Sequence, residues 1–170
     1  DNFSGSFKEI YAYGYDGPYW LVSESIDLGS TAGQYKLNFD LAVSSSSYYS
    51  SSSTLSSHQL DVIVSDDDGA TWSSANTIAT YTGSSTITNT GQTESIDLTS
   101  YSGTVRIAFV LTEGTYTSRY VGIDNFEIEA QPACSGTPVP GNTVAEVSSS
   151  AVTSVCSGTS VDFSIDGSYP

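Results

Sequence analysis

Apolar and polar residues alternate along three stretches of the chain. Tyr35, Leu37, Phe39, Leu41 and Val43 fall on every second position, with Lys36, Asn38 and Asp40 between them. Val105, Ile107, Phe109 and Leu111 repeat the pattern, and Leu60, Val62 and Val64 make a third row. Successive side chains of a strand point to opposite faces, so each row predicts a strand with one face on a core. No segment shows helical periodicity. Ser, Thr, Val, Tyr and Ile each outnumber Leu, Glu and Lys, which favours strands over helices. The pattern predicts an all-β chain folded as an antiparallel β-sandwich.

An internal echo underlies two of the rows. "ESIDL" occurs at Glu24–Leu28 and again at Glu94–Leu98, and each copy is followed at the same offset by a long alternation, "YKLNFDL" from Tyr35 and "VRIAFVL" from Val105. Each copy reads as short strand, turn, long core strand. Two such units suit a sandwich in which each sheet receives an equivalent pair; two copies do not make a repeat array. A further signal lies in "YVGIDNFEIE". Val121 and Ile123 are apolar before Asp124, Phe126 and Ile128 after it, so the parity flips at Asp124–Asn125 and a β-bulge is expected there. The serine-rich stretch Ser44–His58 interrupts the alternation and reads as a surface loop, with Tyr48 and Tyr49 as its candidate contact residues.

Composition narrows the partners. Four Lys+Arg stand against nineteen Asp+Glu in 170 residues, a net charge of −15. Such a surface repels nucleic acid and anionic membranes and attracts cations, so calcium is a reasonable partner. No apolar run is long enough to cross a bilayer. There is no signal peptide and no methionine, not even at position 1, which suggests a processed or excised piece of a longer precursor.

Near Pro132 the composition changes. "EAQPACSGTPVPGNT" reads as a linker, and a new β pattern, "SAVTSVCSGTSVDFSIDGSYP", then begins and stops. The organisation expected is a sandwich over 1–130, a linker over 131–143 and an incomplete β segment over 144–170, too short for its own core. The segment is expected to dock on the sandwich or to pair with a neighbouring chain. Cys134 and Cys156 are the only cysteines. In a secreted β protein they suggest one disulfide, with a free pair as the alternative; a metal site would need more ligands.

"SDDDGATW" could be an acid cluster, a metal site or a turn. Ser65, Asp67, Gly69, Thr71 and Trp72 fit the Asp-box pattern Ser-x-Asp-x-Gly-x-Thr-Trp. The pattern has a mechanical reading as a tight hairpin: Gly69 supplies a positive φ, Asp67 accepts hydrogen bonds from turn amides, and Trp72 packs back over the turn. Asp66 and Asp68 are then expected to be solvated, with weak cation binding as the alternative. Sialidases carry several such boxes on propeller blades, away from the chemistry, and one copy cannot build a propeller.

Catalytic motifs are missing. The single histidine, His58, reads as an exposed residue at a loop end, and no nucleophile elbow, His-Glu-x-x-His or phosphate loop accompanies it. Aromatic residues offer a binding alternative. "YAYGYDGPYW" places Tyr11, Tyr13 and Tyr15 on one strand face with Tyr19 and Trp20 beyond, a candidate platform for sugar rings.

"YWLVSESIDL", "YKLNFDLAV", "HQLDVIVSDDDGATW", "ESIDLTSYSGTVRIAFV" and "RYVGIDNFEIE" together resemble, over roughly Phe7–Ala130, the MAM-like jelly-roll modules of secreted bacterial proteins known as choice-of-anchor J or cleaved-adhesin domains. The opening strand of that family, with its Phe-Glu and Pro-Gly-Trp turn, is not recognisable in "DNFSGSF". The segment after Pro132 resembles the beginning of an Ig-like module. The resemblance implies a jelly-roll sandwich and a non-catalytic adhesion or targeting role, secreted or at the cell surface, beside linked domains of one precursor. It also implies a structural calcium at Asp124, for which Asp16 and Asp1 are the further acids most suited by position. The runner-up is a carbohydrate-binding module serving a linked hydrolase. A third reading, a fragment of a sialidase-like enzyme, rests on the Asp box alone.

Overall fold

The computed structural model describes residues 7–12, 17–33, 35–45, 54–114 and 118–131. The chain divides into two units after Gln131, and every described residue belongs to the first. The linker, the C-terminal segment, Cys134 and Cys156 lie outside the described residues, as do Asp1, Tyr13, Tyr15, Asp16, Tyr48 and Tyr49.

Among the described residues, nine strands form two antiparallel sheets. They are β1 (Lys8–Ala12), β2 (Tyr19–Val22), β3 (Ile26–Asp27), β4 (Tyr35–Ser44), β5 (Gln59–Ser65), β6 (Thr77–Tyr81), β7 (Gln92–Asp97), β8 (Thr104–Thr112) and β9 (Arg119–Ala130). The first sheet has the order β1-β9-β4-β7. The second has the order β2-β8-β5-β6, with β3 also paired to β8. All pairings are antiparallel. This is a two-sheet antiparallel sandwich of jelly-roll type.

The three alternations face inward as their period requires. Leu37, Phe39, Leu41 and Val43 from β4, Leu60, Val62 and Val64 from β5, and Val105, Ile107 and Leu111 from β8 are all fully buried. Phe39 and Phe109 meet edge to face across the two sheets, 5.0 Å between ring centroids. The echo pairs crosswise. The first "ESIDL" supplies β3, which pairs with β8 of the second copy, and the second supplies β7, which pairs with β4 of the first. Leu28 and Leu98, equivalent in the two copies, are both buried.

Two differences from the sequence reading stand out. A short strand follows "DNFSGSF", whose first six residues lie outside the described ones: β1 occupies the edge beside β9, in register from Lys8↔Ile123 to Ala12↔Arg119. It escapes recognition because its five residues alternate only weakly. The Asp-box connection is also longer than a tight hairpin, since residues 66–76 separate β5 from β6 and include a 3₁₀ turn at Ser74–Asn76.

Phe39→Ala removes a fully buried ring at the centre of the sandwich. Cavity formation of this kind costs roughly 3–5 kcal/mol. A urea titration of the variant should show that loss as a lower midpoint with an unchanged slope; a midpoint equal to wild type would refute the central placement of Phe39.

Candidate functional site

The Asp box folds as its residue types dictate. Ser65 Oγ donates to Asp67 Oδ1 at 2.6 Å and accepts the Gly69 amide at 2.8 Å. Asp67 Oδ1 also accepts the Thr71 amide at 2.9 Å, and its Oδ2 accepts the Thr71 hydroxyl at 2.6 Å. Hydrogen bonds from Ser65 and then Thr71 hold the Asp67 carboxyl well below its usual range, at about 2. Gly69 takes φ +86°, and a Cβ there would lie 2.9 Å from Arg106 Cδ. Only glycine suits both the conformation and the space.

Asp68 departs from the sequence reading, which left it solvated. Arg106 Nε, from β8, donates to Asp68 Oδ1 at 2.9 Å, and the Ser25 hydroxyl donates to the same oxygen. Arg106 also reaches the Ser25 hydroxyl at 2.9 Å. The Ser25 hydroxyl, then Arg106, keep the Asp68 carboxyl below its usual range. The turn is thereby tied to the face of the second sheet by residues 38 and 43 positions distant. Spacing along the chain gave no sign of that partnership.

Trp72 leaves the turn and covers Ile63, Ala108 and Val110, a small apolar cluster distinct from the main core. These three residues lie on the outer face of the second sheet, because their neighbours Val62, Val64, Ile107 and Phe109 face the core. Trp20, opposite Val110 in the β2–β8 register, projects on the same face. Its ring meets that of Trp72 edge to face, with centroids 5.6 Å apart and planes at 68°. Trp20 is 45% exposed and Val22, two positions on, is 42% exposed. Polar groups flank them: Asp61, opposite Val110, accepts from Gln59 Nε2 at 2.8 Å and from the Thr80 hydroxyl at 2.6 Å. The result is an exposed indole on a dry apolar base, with hydrogen-bonding groups two strands away on β5 and three strands away on β6.

Tyr11 lies elsewhere. Ile10 and Ala12 enter the core, so Tyr11 projects from the outer face of the first sheet. It stacks on Tyr120 of β9, centroids 4.5 Å apart and planes at 25°. The sequence places Tyr11 and Trp20 on one platform; the fold puts them on opposite sides of the sandwich. Tyr19 packs against the core.

The bulge at Asp124–Asn125 is present. Between Asn38↔Glu127 and Asp40↔Asp124, two residues of β9 face the single residue Phe39, and Asn125 takes φ +48°. Asp124 Oδ1 accepts the Asn125 amide at 2.8 Å. Opposite it, Asp40 is already engaged by the Thr93 hydroxyl at 2.6 Å and by Asn125 Nδ2 at 2.7 Å. Among the described residues no group of three metal-ligating side chains gathers. Asp124 and Asp40 alone do not meet the six to eight oxygens that calcium takes. The bulge also turns Phe126 toward Phe109, 6.3 Å between centroids. Together with Leu21, Ile26, Ile123 and Lys8 these rings line a lateral cleft of about 500 Å³ between the edges of the two sheets.

His58 is also corrected. It is 1% exposed, and its Nδ1 lies 3.0 Å from the Leu55 carbonyl oxygen. Its position continues the inward parity of Leu60 and Val62.

No family model matches the chain, and no curated protein matches it. Among solved structures the chain is similar to TmCBM61, solved with β-1,4-galactotriose: 14% identity over 76% of this chain and 75% of that one, TM-score 0.46. It is similar to the N-terminal cellulose-binding domain of Cellulomonas fimi β-1,4-glucanase C, with 12% identity over 76% and 81% of the two chains and a TM-score of 0.48. A CBM4 structure gives 18% identity, 72% and 71% coverage and a TM-score of 0.45. With these three scores below 0.5, the fold assignment rests on the strand order itself.

The Asp box makes a pH prediction. A depressed carboxyl contributes stability above its unfolded value, near 3.8, and loses it as pH falls toward its folded value of about 2. Asp67→Asn should therefore lower the Tm at pH 7 and flatten its decline across that acid window. Parallel Tm-versus-pH curves for variant and wild type would show that Asp67 is not coupled to folding.

Proposed function

We propose that the chain is a non-catalytic carbohydrate-binding accessory module of a larger secreted protein, and that Trp20 is its principal sugar-stacking residue. The observation that carries this is the Trp20–Trp72 arrangement on the outer face of the second sheet. Edge-to-face packing against Trp72 leaves an indole surface exposed at Trp20, fixed in place by a neighbour that the Asp box holds. In the Tyr11–Tyr120 pair, by contrast, each ring gives one face to the other. The axial C–H groups of a pyranose can lie against such an indole, and a glycan running across the sheet from there would bring a further ring to Asp61 and Gln59, two strands away. The reading rests on this platform and not on the structural likenesses.

Two further arguments shape the proposal. Trp20 and Val22 are the large exposed apolar residues of this face. They offer far less than the roughly 800 Å² a side that a stable protein interface buries, but enough for one or two sugar rings. This favours a glycan over adhesion to a protein ligand. The net charge of −15 disfavours uronate or sulfated polymers, so the ligand class is a neutral glycan.

Affinity electrophoresis in a panel of neutral polysaccharides tests the reading. Trp20→Ala should weaken retention at least tenfold, equivalent to roughly 1.4 kcal/mol, while Tyr11→Ala should leave it within twofold. Undiminished binding by the Trp20 variant would overturn the assignment.

A structural calcium at Asp124 belongs to the same proposal, with Asp16 and Asp1 to supply the missing ligands. Ligand linkage then requires excess chelator to lower the Tm of the native chain, and Asp124→Ala to abolish that dependence. A melting curve indifferent to chelator would remove calcium from the picture.

A further inference from the structure

A second cation position, separate from Asp124, follows from buried groups at one end of the sandwich. His58 Nε2 and both carboxylate oxygens of Glu113 are buried and have no hydrogen-bond partner among the described residues. A buried polar atom left unpartnered is costly, and a carboxylate more so. The two residues are neighbours. The β5–β8 register ends at Gln59↔Thr112 and, continued by one pair, sets His58 opposite Glu113. Both hold the inward parity, His58 with Leu60 and Val62, Glu113 with Phe109 and Leu111. Directly opposed residues of an antiparallel pair have Cβ atoms about 5 Å apart, so their side chains enter the same space.

The chemistry of the three orphaned atoms is uniform. His58 Nδ1 faces the Leu55 carbonyl oxygen at 3.0 Å, which places its proton there and leaves Nε2 as a lone-pair donor. Glu113 contributes two more lone-pair oxygens. Three electron-pair donors without a proton donor among them call for an electrophile. The cationic side chains are engaged elsewhere. Lys36 pairs with Asp97, and Arg106 with Asp68. Arg119 donates to the carbonyls of Thr54 and Ser118, and Lys8 lines the lateral cleft. These four are all the lysines and arginines of the chain. A bridging water would satisfy two of the atoms but supply no charge.

We propose that His58 Nε2 and Glu113 bind a divalent transition-metal ion of the zinc class, the rest of its shell coming from backbone carbonyls and water. Imidazole nitrogen with a carboxylate suits such ions; calcium prefers an all-oxygen set. The proposal does not depend on the glycan reading.

Because His58 is the only histidine, its imidazole nitrogens give one unambiguous pair of ¹⁵N resonances. Zinc should be titrated into the chelator-treated full-length chain while these are observed. The Nε2 resonance should shift and saturate at one equivalent, with Nδ1 remaining protonated. Glu113→Gln should raise the apparent Kd at least tenfold, and as a near-isosteric change it keeps the packing. The readout is blind to zinc taken by Cys134 and Cys156. An Nε2 resonance unmoved by excess zinc overturns the site, as does an unchanged Kd in the Glu113 variant. Calcium binding with Nε2 unmoved and no response to zinc would likewise overturn it and point to an all-oxygen position.

Discussion

The fold depends on one requirement: two long strands, each apolar on a single face, must cover one another. β4 and β8 sit inside their respective sheets, and Phe39 and Phe109 meet between them. Neither strand could hide its apolar row within its own sheet, because a sheet has two faces and only one is wet. The crosswise pairing of the echoed units follows. Each short "ESIDL" strand flanks the long strand of the other copy, so neither copy completes a sheet without its counterpart. The two sheets therefore form together or not at all, which accounts for a single contiguous core running from Ile10 to Ile123.

What was legible in the chain was whatever period two could express. The rows at Leu37, Leu60 and Val105 declare their inner faces because a register slip would turn every apolar side chain to water. The bulge was legible for the same reason, since a parity flip at Asp124 has no other way to keep both flanks in the core. The binding surface was not legible. Tyr11 and Trp20 are nine residues apart, and a change of sheet between β1 and β2 sends them to opposite sides of the molecule. His58 looked like a loop residue because the serines before it carry no pattern, although its parity with Leu60 was available. Asp68 looked solvated because Arg106 and Ser25 approach it from distant strands.

The Asp box illustrates how a local motif acquires a wider role. Its internal hydrogen bonds explain the backbone path from Ser65 to Thr71, and they would do so in any β protein. Two contacts beyond the motif give it meaning here: Arg106 clasps the turn against β8, and Trp72 closes over Ile63, Ala108 and Val110. A turn thus sets the position of one indole, and that indole sets the posture of Trp20. The rigidity of the outer face derives from a loop.

The two strand edges that flank the lateral cleft carry one more consequence. β1 is only five residues long, and Lys8 points from it into the cleft. On the other side the edge is broken between β2 and β3, where the Ser23 hydroxyl, in place of a main-chain carbonyl, accepts the Ile107 amide at 3.0 Å. A short edge with an inward charge, facing an interrupted one, offers no continuous template for a strand from another molecule. Copies of this domain crowded together on a common scaffold would resist edge-to-edge aggregation on this side, while the broad sheet faces stay open to solvent.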